Sequence, residues 1–285
     1  MFSPTLGRWT QNDPIEYDPG DPNLYRFVGN SPQVGLDPTG LADIKDAEAF
    51  KAILKEIGAG TDTGKAFEVI TRLSLATQGG LKANTGLGAN EAYVASTANP
   101  ALVIPASLAG KRDAILRGAS GNATPDLVGD FTLGKVGAAK MVLVDAKALD
   151  KNITLAGNTR SPYQSVKYIA NLVQNATLFG TQGGAAAELG QNDRVAGILL
   201  YVTYTDTKVS PEIVALGATN GVVLHQAFVD WDKAKCEFYV TKSNVLAPNK
   251  GENFRAKTLI AIPNYAPFQK GGVVVTKEAL LKALK

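Results

Sequence analysis

Two aspartates and a lysine are spaced so that a β-hairpin could bring their side chains together. Asp126 follows a proline ahead of one apolar segment, while Asp145 and Lys147 follow a second, strongly apolar segment at 141–144. Successive strand residues point to opposite faces, so Asp145 and Lys147, two positions apart, share one face. A glycine-containing turn separates the two segments. If it folds the chain back, Asp126 lies beside Asp145.

A group of two carboxylates and an ammonium can hydrolyse a phosphodiester bond. The carboxylates would hold a divalent metal ion, which activates water and neutralises charge on the phosphoryl group, and the lysine would orient or stabilise the reacting groups. The alternative is a hairpin without chemistry, in which Asp126 belongs to a turn and Asp145 and Lys147 form an exposed ion pair. The three residues alone leave both interpretations open.

The scarcity of histidine and cysteine excludes several other chemistries. The 285 residues include one histidine, His225, and one cysteine, Cys236. Zinc hydrolases, zinc deaminases, histidine-dependent ribonucleases and Ser-His or Cys-His hydrolases need more of these residues or specific pairs of them. An intramolecular disulfide framework is excluded for the same reason. We expect His225 to be an ordinary strand residue, so that any chemistry comes from carboxylates, lysines and hydroxyls.

Helices that could carry further site residues are predicted before the hairpin. Apolar residues spaced three or four apart indicate one helix over 44–57 and a second over 64–77, each followed by glycines. Glu68 lies on the flank of the second helix's apolar stripe. It is either an ordinary surface glutamate or a third acidic residue of the site. Residues 79–123 are rich in small and polar residues, which predicts irregular structure with one or two short elements.

A helix over 160–179 is predicted after the hairpin, with Ser161 as its N-cap and Pro162 as its first residue. Gln164 follows Ser161 by three positions, which is typical of a capping box that ties down the start of a helix. Gln164 also begins a polar ribbon along the helix. The ribbon consists of Gln164, Tyr168, Asn171 and Asn175. The two roles of Gln164 are compatible.

Later segments predict a buried strand, a second hairpin and a closing helix. The apolar run 195–204 suits a central strand, and 222–231 and 235–241 alternate in polarity as the two strands of a hairpin do. A short strand and a helix over 277–284 follow, with Thr276 as the expected cap. Helices and strands thus alternate along the chain, which predicts an α/β fold.

Residues 1–42 differ in composition from the rest. Proline, glycine, aspartate and asparagine dominate, and the net charge is −3, against +6 for 43–285. Turns and short extended pieces are therefore expected in place of a domain with its own core. The basic remainder suits a polyanionic ligand. Four motifs stand in order in the first segment: LGRW at 6–9, DPI at 13–15, NLYRFVGNSP at 23–32 and DPTGL at 37–41.

These motifs resemble the closing motif of the Rhs/YD-repeat proteins, in which a β-cage shell precedes a variable C-terminal toxin. The resemblance implies aspartyl autoproteolysis after Leu41, with Asp13 and Asp37 at the positions of the family's two aspartates. We expect this chain to stay whole, because Glu16 replaces a glycine of the first motif and no shell is present. The resemblance also implies a cognate immunity protein and a secretion apparatus that delivers the toxin into the cytoplasm of a target bacterial cell.

The region around the hairpin resembles the PD-(D/E)xK nucleases, which have a restriction-endonuclease-like fold. The matching residues are Pro125-Asp126 and Asp145-x-Lys147, with Gln164 and Tyr168 at an additional motif of one exonuclease-like branch and Glu68 at the acidic position of the first core helix. The resemblance implies an αβββαβ core with a mixed central sheet flanked by helices. It also implies that Asp126, Asp145 and Glu68, with the carbonyl of Ala146, hold Mg²⁺, or alternatively Mn²⁺. Gln164 and Tyr168 would orient a metal ligand or the scissile strand.

Together these observations predict two parts, an irregular Rhs tail at 1–42 and one metal-dependent nuclease toxin domain at 43–285. DNA is the expected substrate, because most members of the nuclease superfamily cut DNA, and tRNA or other RNA is the alternative. A non-enzymatic binding module attached to the Rhs shell is the alternative from a different class. No apolar run approaches the length of about 18 residues that a membrane span needs, so no membrane association is expected.

Overall fold

A computed structural model describes residues 2–3, 8–9, 44–76, 81–84, 93–97, 101–132, 139–149, 152–157, 161–179, 195–246 and 271–285. The chain divides into two compact units, Met1–Ala42 and Asp43–Lys285. In the first unit, strands β1 (Phe2–Ser3) and β2 (Arg8–Trp9) pair in antiparallel fashion. The expected autoproteolysis residues Asp13, Asp37 and Leu41 lie outside the described residues.

The second unit combines short helices with one large sheet. Its described helices are α1 (Ala47–Ile57), α2 (Thr63–Leu75), α3 (Arg112–Ala119), α4 (Gln164–Phe179), α5 (Pro211–Thr219) and α6 (Lys277–Leu284). Its described strands are β3 (Lys82–Ala83), β4 (Ala95–Thr97), β5 (Gly121–Ala123), β6 (Leu127–Thr132), β7 (Ala139–Lys147), β8 (Gly197–Thr203), β9 (Val222–Asp232), β10 (Glu237–Val240), β11 (Asn244–Val245) and β12 (Val275–Thr276). Across the described ranges, no helix is long and apolar enough to cross a membrane.

The large sheet is mixed, with a parallel centre and antiparallel flanks. Its strand order is β12-β10-β9-β8-β7-β6-β3, and β11 pairs with β9. Strands β7, β8 and β9 are parallel neighbours, while β6 and β3 on one side and β10 and β12 on the other are antiparallel additions. Parallel neighbours need long crossovers, which here contain α4 between β7 and β8 and α5 between β8 and β9.

Apolar clusters cover both faces of the sheet, because successive residues of the central strands alternate between them. Val142 and Val144 of β7 pack with residues of α1, α2 and α6, whereas Leu143 packs with residues of α3, α4 and α5. Every residue of β8 is buried, as expected for a central parallel strand. Asp145 and Lys147 belong to the face of Leu143 and therefore point toward α4. The predicted mixed sheet flanked by helices is confirmed.

Several local predictions are also confirmed. The β6–β7 and β9–β10 hairpins form, and the apolar run after position 195 is the central strand β8. The first helix ends at Gly58, whose φ of 75° lies in the left-handed region that favours glycine. The last helix begins at Thr276, whose side chain accepts a hydrogen bond from the N–H of Ala279. In each case a local signal is sufficient for the prediction. The signal is a turn, an apolar run, a glycine or a capping residue.

The start of α4 differs from its prediction. Tyr163 adopts a left-handed φ of 56°, and its N–H donates to the carbonyl of Ala156 at 2.8 Å. The helix therefore begins at Gln164, one residue after this turn. The predicted roles of Ser161 as N-cap and Pro162 as first helical residue are wrong, because both residues precede the helix.

The segment between α2 and the hairpin is more structured than predicted. Its described residues form β3, β4, α3, β5 and a 3₁₀ turn over Ala106–Lys111. Strand β3 joins the large sheet by pairing with β6, and β4 pairs with β5. In chain order, α2, β3, β6, β7, α4 and β8 thus form a helix, three antiparallel strands, a helix and a strand parallel to the third.

Candidate active site

The β6–β7 hairpin places Asp126 beside Asp145. Leu127 pairs with Val144, and the N–H of Asp126 donates to the carbonyl of Val144 at 2.9 Å. One step further in this antiparallel register, Asp126 stands opposite Asp145. The Oδ2 atom of Asp126 accepts a hydrogen bond from the N–H of Ala146 at 2.7 Å. The hairpin thus brings the carboxylate of the Pro-Asp pair to the Asp-x-Lys motif.

Lys147 is held between Asp145 and the start of α4. Its Nζ atom lies 3.0 Å from Asp145 Oδ2 and donates to Gln164 Oε1 at 2.6 Å. Gln164 Nε2 donates to the Tyr168 hydroxyl at 2.7 Å, and that hydroxyl donates to the carbonyl of Thr124 at 2.8 Å. The hydroxyl oxygen is also 3.4 Å from Asp145 Oδ1. Lys147, Gln164 and Tyr168 therefore form one line of contacts around Asp145.

These contacts decide between the two predicted roles of Gln164. Both polar atoms of its side chain are engaged, the oxygen with Lys147 and the nitrogen with Tyr168. Gln164 is also the first residue of α4 and not its third. The capping-box interpretation is therefore wrong. The side chain instead belongs to the group that surrounds Asp145.

Helix α2 approaches the carboxylates from the other face of the sheet. Glu68 forms an ion pair with Arg72, one helical turn later, and Arg72 Nη2 lies 4.0 Å from Asp126 Oδ1. The Nε atom of Arg72 is buried, and it has no hydrogen-bond partner among the described residues. Arg72 is a second cation at the site, and the sequence analysis did not select it. Its spacing of four from Glu68 on a helix is the signal that could have found it.

Asp145 is buried, Asp126 beside it is half-buried, and the pKa values of both carboxyls are raised. Burial, followed by the neighbouring charge of Asp145, raises the pKa of Asp126 to about 8, although the hydrogen bond from Ala146 opposes this shift. Burial also raises the pKa of Asp145, which is only 3 % exposed, and the ammonium of Lys147 opposes that shift. Burial and the charge of Asp145 raise the pKa of Tyr168, which keeps its hydroxyl neutral. Burial is therefore the main cause of the raised pKa values at the site.

The predicted metal ligands fit a hard cation in chemistry but do not form a complete cluster. Within the described ranges, no three histidine, cysteine, aspartate or glutamate side chains are grouped closely enough to hold a metal ion. Glu68 forms an ion pair with Arg72, and it also lies close enough to Asp126 to raise the pKa of that carboxyl. Carboxylate oxygens are the donors that Mg²⁺ and Mn²⁺ prefer, and a cation would relieve the repulsion that Asp126 feels from Asp145. A metal ion held by Asp126, Asp145 and Glu68, with the carbonyl of Ala146, stays a prediction.

The polar ribbon of α4 divides into two halves with different partners. Its first half, Gln164 and Tyr168, contacts Lys147 and Asp145 as described above. In its second half, Asn171 Oδ1 accepts from the Tyr93 hydroxyl at 2.6 Å, and Asn175 Nδ2 donates to Tyr93 at 3.0 Å. The second half therefore attaches the segment before the hairpin to α4. It takes no part in the site.

His225 also lies away from the site, as predicted. It is a buried residue of β9, and its Nδ1 is 3.0 Å from Ser243 Oγ. Burial lowers the pKa of His225 to about 4, so the ring is neutral at neutral pH. The neighbouring Gln226 donates to Thr203 Oγ1 at 2.8 Å and to the carbonyl of Thr207 at 2.7 Å. These residues tie β9 to its neighbours.

No protein-family model, no curated protein and no solved structure matches this chain. The resemblances to Rhs proteins and to PD-(D/E)xK nucleases therefore stay predictions. They rest on short motifs.

Proposed function

We propose that residues 43–285 form a metal-dependent phosphodiesterase that cuts DNA and serves as the toxin domain of an Rhs effector. The observation that carries this proposal is the convergence of Asp126, Asp145 and Lys147 at the end of one hairpin. It costs free energy to hold two carboxyls with raised pKa values and an ammonium together in a largely buried site. Perturbed groups of this kind cluster at functional sites.

The architecture around the site supports the same proposal. The order α2, β3, β6, β7, α4 and β8 agrees with an αβββαβ core, and the mixed sheet has helices on both faces. Asp145 and Lys147 lie at the carboxyl end of the central strand β7, next to the start of the crossover helix α4. This is a place where α/β folds commonly bind ligands.

In the proposed mechanism, Asp126 and Asp145, with Glu68 assisting and the carbonyl of Ala146, would hold Mg²⁺ or Mn²⁺. Such an ion would supply an activated water and neutralise charge on the phosphoryl group. Lys147, fixed by Asp145 and Gln164, presents its ammonium to the charge that develops on the scissile phosphate. Gln164 and Tyr168 hold the side chains of Lys147 and Asp145 in position. Arg72 adds positive charge on the α2 side of Asp126, where it would attract the phosphate backbone.

The proposal extends to the biological setting through the first unit. An Rhs tail at 1–42 would attach this domain to a shell and a secretion apparatus, for delivery into the cytoplasm of a target bacterium. A cognate immunity protein would protect the producer. RNA cleavage by the same site is the second candidate, since Lys147 would contact a phosphate, which DNA and RNA share. A non-enzymatic binding module is the third.

Incubation of the full chain with supercoiled plasmid and with tRNA tests the proposal. We expect plasmid cleavage in Mg²⁺ that EDTA abolishes, and a loss of about 10²-fold to 10³-fold in Asp145→Asn and in Lys147→Met. Cleavage of tRNA alone would favour the second candidate. Intact plasmid and tRNA with wild-type protein, in Mg²⁺ and in Mn²⁺, would favour the binding module.

The chain contains a matched control for these variants. Asp206 and Lys208 repeat the Asp-x-Lys spacing in the segment after β8, and both side chains are exposed. Asp206→Asn and Lys208→Met make the same chemical changes away from the hairpin, and they should leave cleavage unchanged. Equal losses in the control and site variants would remove the hairpin site from the proposal.

A further inference from the structure

A cavity of about 270 Å³ opens beside the proposed catalytic lysine. Lys147 and Gln164 line it on the side of the site, and Leu149 and Ile153 contribute apolar walls. Asn152, an exposed residue, also lines the cavity. The mechanism proposed above does not use this cavity. Any group inside it would lie against the side chain that faces the scissile phosphate.

The cavity is built by a short segment that is tied down on both sides. The N–H of Ile153 donates to the carbonyl of Lys208 at 2.9 Å, and the N–H of Ser210 donates back to the carbonyl of Ile153 at 2.8 Å. At the far end, Gly157 approaches the chain before α4 so closely that a Cβ atom there would stand 2.7 Å from the carbonyl oxygen of Ser161. The walls are therefore held apart in advance, which lowers the entropy cost of binding.

The size and chemistry of the cavity match one unpaired nucleotide. Its volume lies just below the range of about 300–1,000 Å³ that drug-sized ligands occupy, so it admits a single base with its sugar and excludes a base pair. The apolar side chains of Leu149 and Ile153 suit the faces of a base. The amide of Asn152 and the hydroxyl of Thr154 suit its polar edge.

We propose that this cavity binds the base of an unpaired nucleotide next to the scissile phosphate, so that the enzyme cuts single-stranded nucleic acid in preference to duplex. This inference rests on the proposed function, because it needs the scissile phosphate at Lys147. A base inside a duplex is stacked and paired, and it reaches such a cavity only after leaving the stack. A single strand avoids that cost.

A second cavity, of about 400 Å³, lies across the same segment and supplies a control. Thr154 lines both cavities, but Ala156 lines only the second, whereas Asn152 lines only the first. Ala156 and Asn152 are both exposed. Tryptophan at either position therefore places the same large side chain on the same segment. Only Asn152→Trp fills the cavity beside Lys147. Asn152→Ala controls for the lost hydrogen bond from the N–H of Lys208.

The test compares fluorescein-labelled oligothymidylate with the same strand annealed to oligoadenylate. The full chain and its variants are assayed for kcat and KM in Mg²⁺ and for binding by fluorescence anisotropy in EDTA. We expect wild-type protein to prefer the single strand by about tenfold or more in kcat/KM. Asn152→Trp should weaken binding and raise KM for the single strand by about tenfold, Asn152→Ala should raise KM by only about threefold through the lost amide contact, and Ala156→Trp should stay close to wild type.

Two results would overturn the inference while the proposed function stands. One is equal cleavage of single strand and duplex by wild-type protein. The other is an Asn152→Trp variant that binds and cuts the single strand as wild type does. An absence of cleavage by wild-type protein on every nucleic acid would instead remove the proposed function, and the inference with it. Thermal unfolding of each variant separates a filled cavity from a damaged fold.

Discussion

Two clusters of largely buried polar side chains lie on or beside the central strands and differ in how their charges and polar groups are satisfied. The carboxylate cluster consists of Asp126, Asp145, Lys147 and Tyr168, and the amide cluster consists of Thr203, His225, Gln226 and Ser243. In the amide cluster, neutral groups satisfy one another, because His225 pairs with Ser243 and Gln226 donates to Thr203. In the carboxylate cluster, burial raises the pKa values of both acids, and the charge of Asp145 raises that of Asp126 further.

The difference separates a structural role from a functional one. Satisfied neutral groups fix the strands relative to each other and need no ligand. Buried acids that repel each other reduce stability, so a fold that keeps them has another use for them. The two clusters therefore predict opposite responses to substitution. The carboxylate cluster should control activity, and the amide cluster should control stability.

The largest expected effect is the separation of activity from stability between the clusters. Asp145→Asn should lower cleavage by about 10³-fold and change the free energy of unfolding little, because the removal of a buried charge offsets the lost ion pair with Lys147. Gln226→Ala should leave cleavage by the folded fraction unchanged and lower that free energy by about 2–3 kcal/mol, because Thr203 and Thr207 lose their donor. Nuclease assays with urea unfolding measure both. Loss of stability in Asp145→Asn would contradict the comparison.

The next effect concerns Asp126 in metal-free protein. The folded-state pKa is raised from 3.8 to about 8, so this carboxyl stabilises the fold below pH 4 and loses that contribution as the pH rises toward 8. The Asp126→Asn side chain does not ionise, so the variant does not lose this stability as the pH rises. We expect its free energy of unfolding in EDTA to exceed that of wild type by on the order of 3 kcal/mol at pH 8, and the difference to shrink toward pH 5. A difference that is constant with pH would refute the assigned cause.

His225 should show the opposite pH dependence. Its folded-state pKa of about 4 lies below the ordinary value of 6.5, so stability is fully present above pH 6.5 and is lost as the pH falls toward 4. His225→Gln cannot take up a proton and should lose about 2 kcal/mol less than wild type between pH 7 and pH 4.5. Urea unfolding at the two pH values measures this. Parallel losses in the two proteins would show that His225 is not buried as described.

A smaller effect concerns Arg72, the second cation near the carboxylate cluster. Arg72→Met should raise KM for nucleic acid by about tenfold with a lesser change in kcat, and Arg72→Lys should recover part of the loss because it keeps the charge. Arg117→Met, an exposed arginine on α3, is the control. If both methionine variants raise KM equally, Arg72 acts only through the overall charge of the domain.

The smallest effect concerns the two halves of the α4 ribbon. Asn175→Ala removes a hydrogen bond to Tyr93 and should lower the free energy of unfolding by about 1 kcal/mol without changing kcat. Gln164→Ala, three turns earlier on the same helix, should lower kcat and leave the free energy of unfolding nearly unchanged, because it releases Lys147. A decrease of kcat in Asn175→Ala would show that the ribbon acts as one unit.

Much of the framework could be predicted because its signals are local. The alternation within β7, the turn of the hairpin, Gly58 and Thr276 each act over a few residues. Helix α5 gave no such signal, because it is buried on nearly all sides and has no polar stripe to reveal its period. The start of α4 was misplaced for a related reason. The left-handed turn at Tyr163 depends on a hydrogen bond to Ala156 across a loop.

The sequence by itself determined that Asp145 and Lys147 share a face and that a hairpin can return Asp126 to them, because the two-residue period of a strand is a property of the backbone. Only the tertiary structure decided the charge state of these groups, since burial and a neighbouring acid raise the pKa of Asp126. It also decided that Arg72 reaches the site and that a cavity opens beside Lys147. These features depend on contacts between segments far apart in the chain, and no local pattern encodes them.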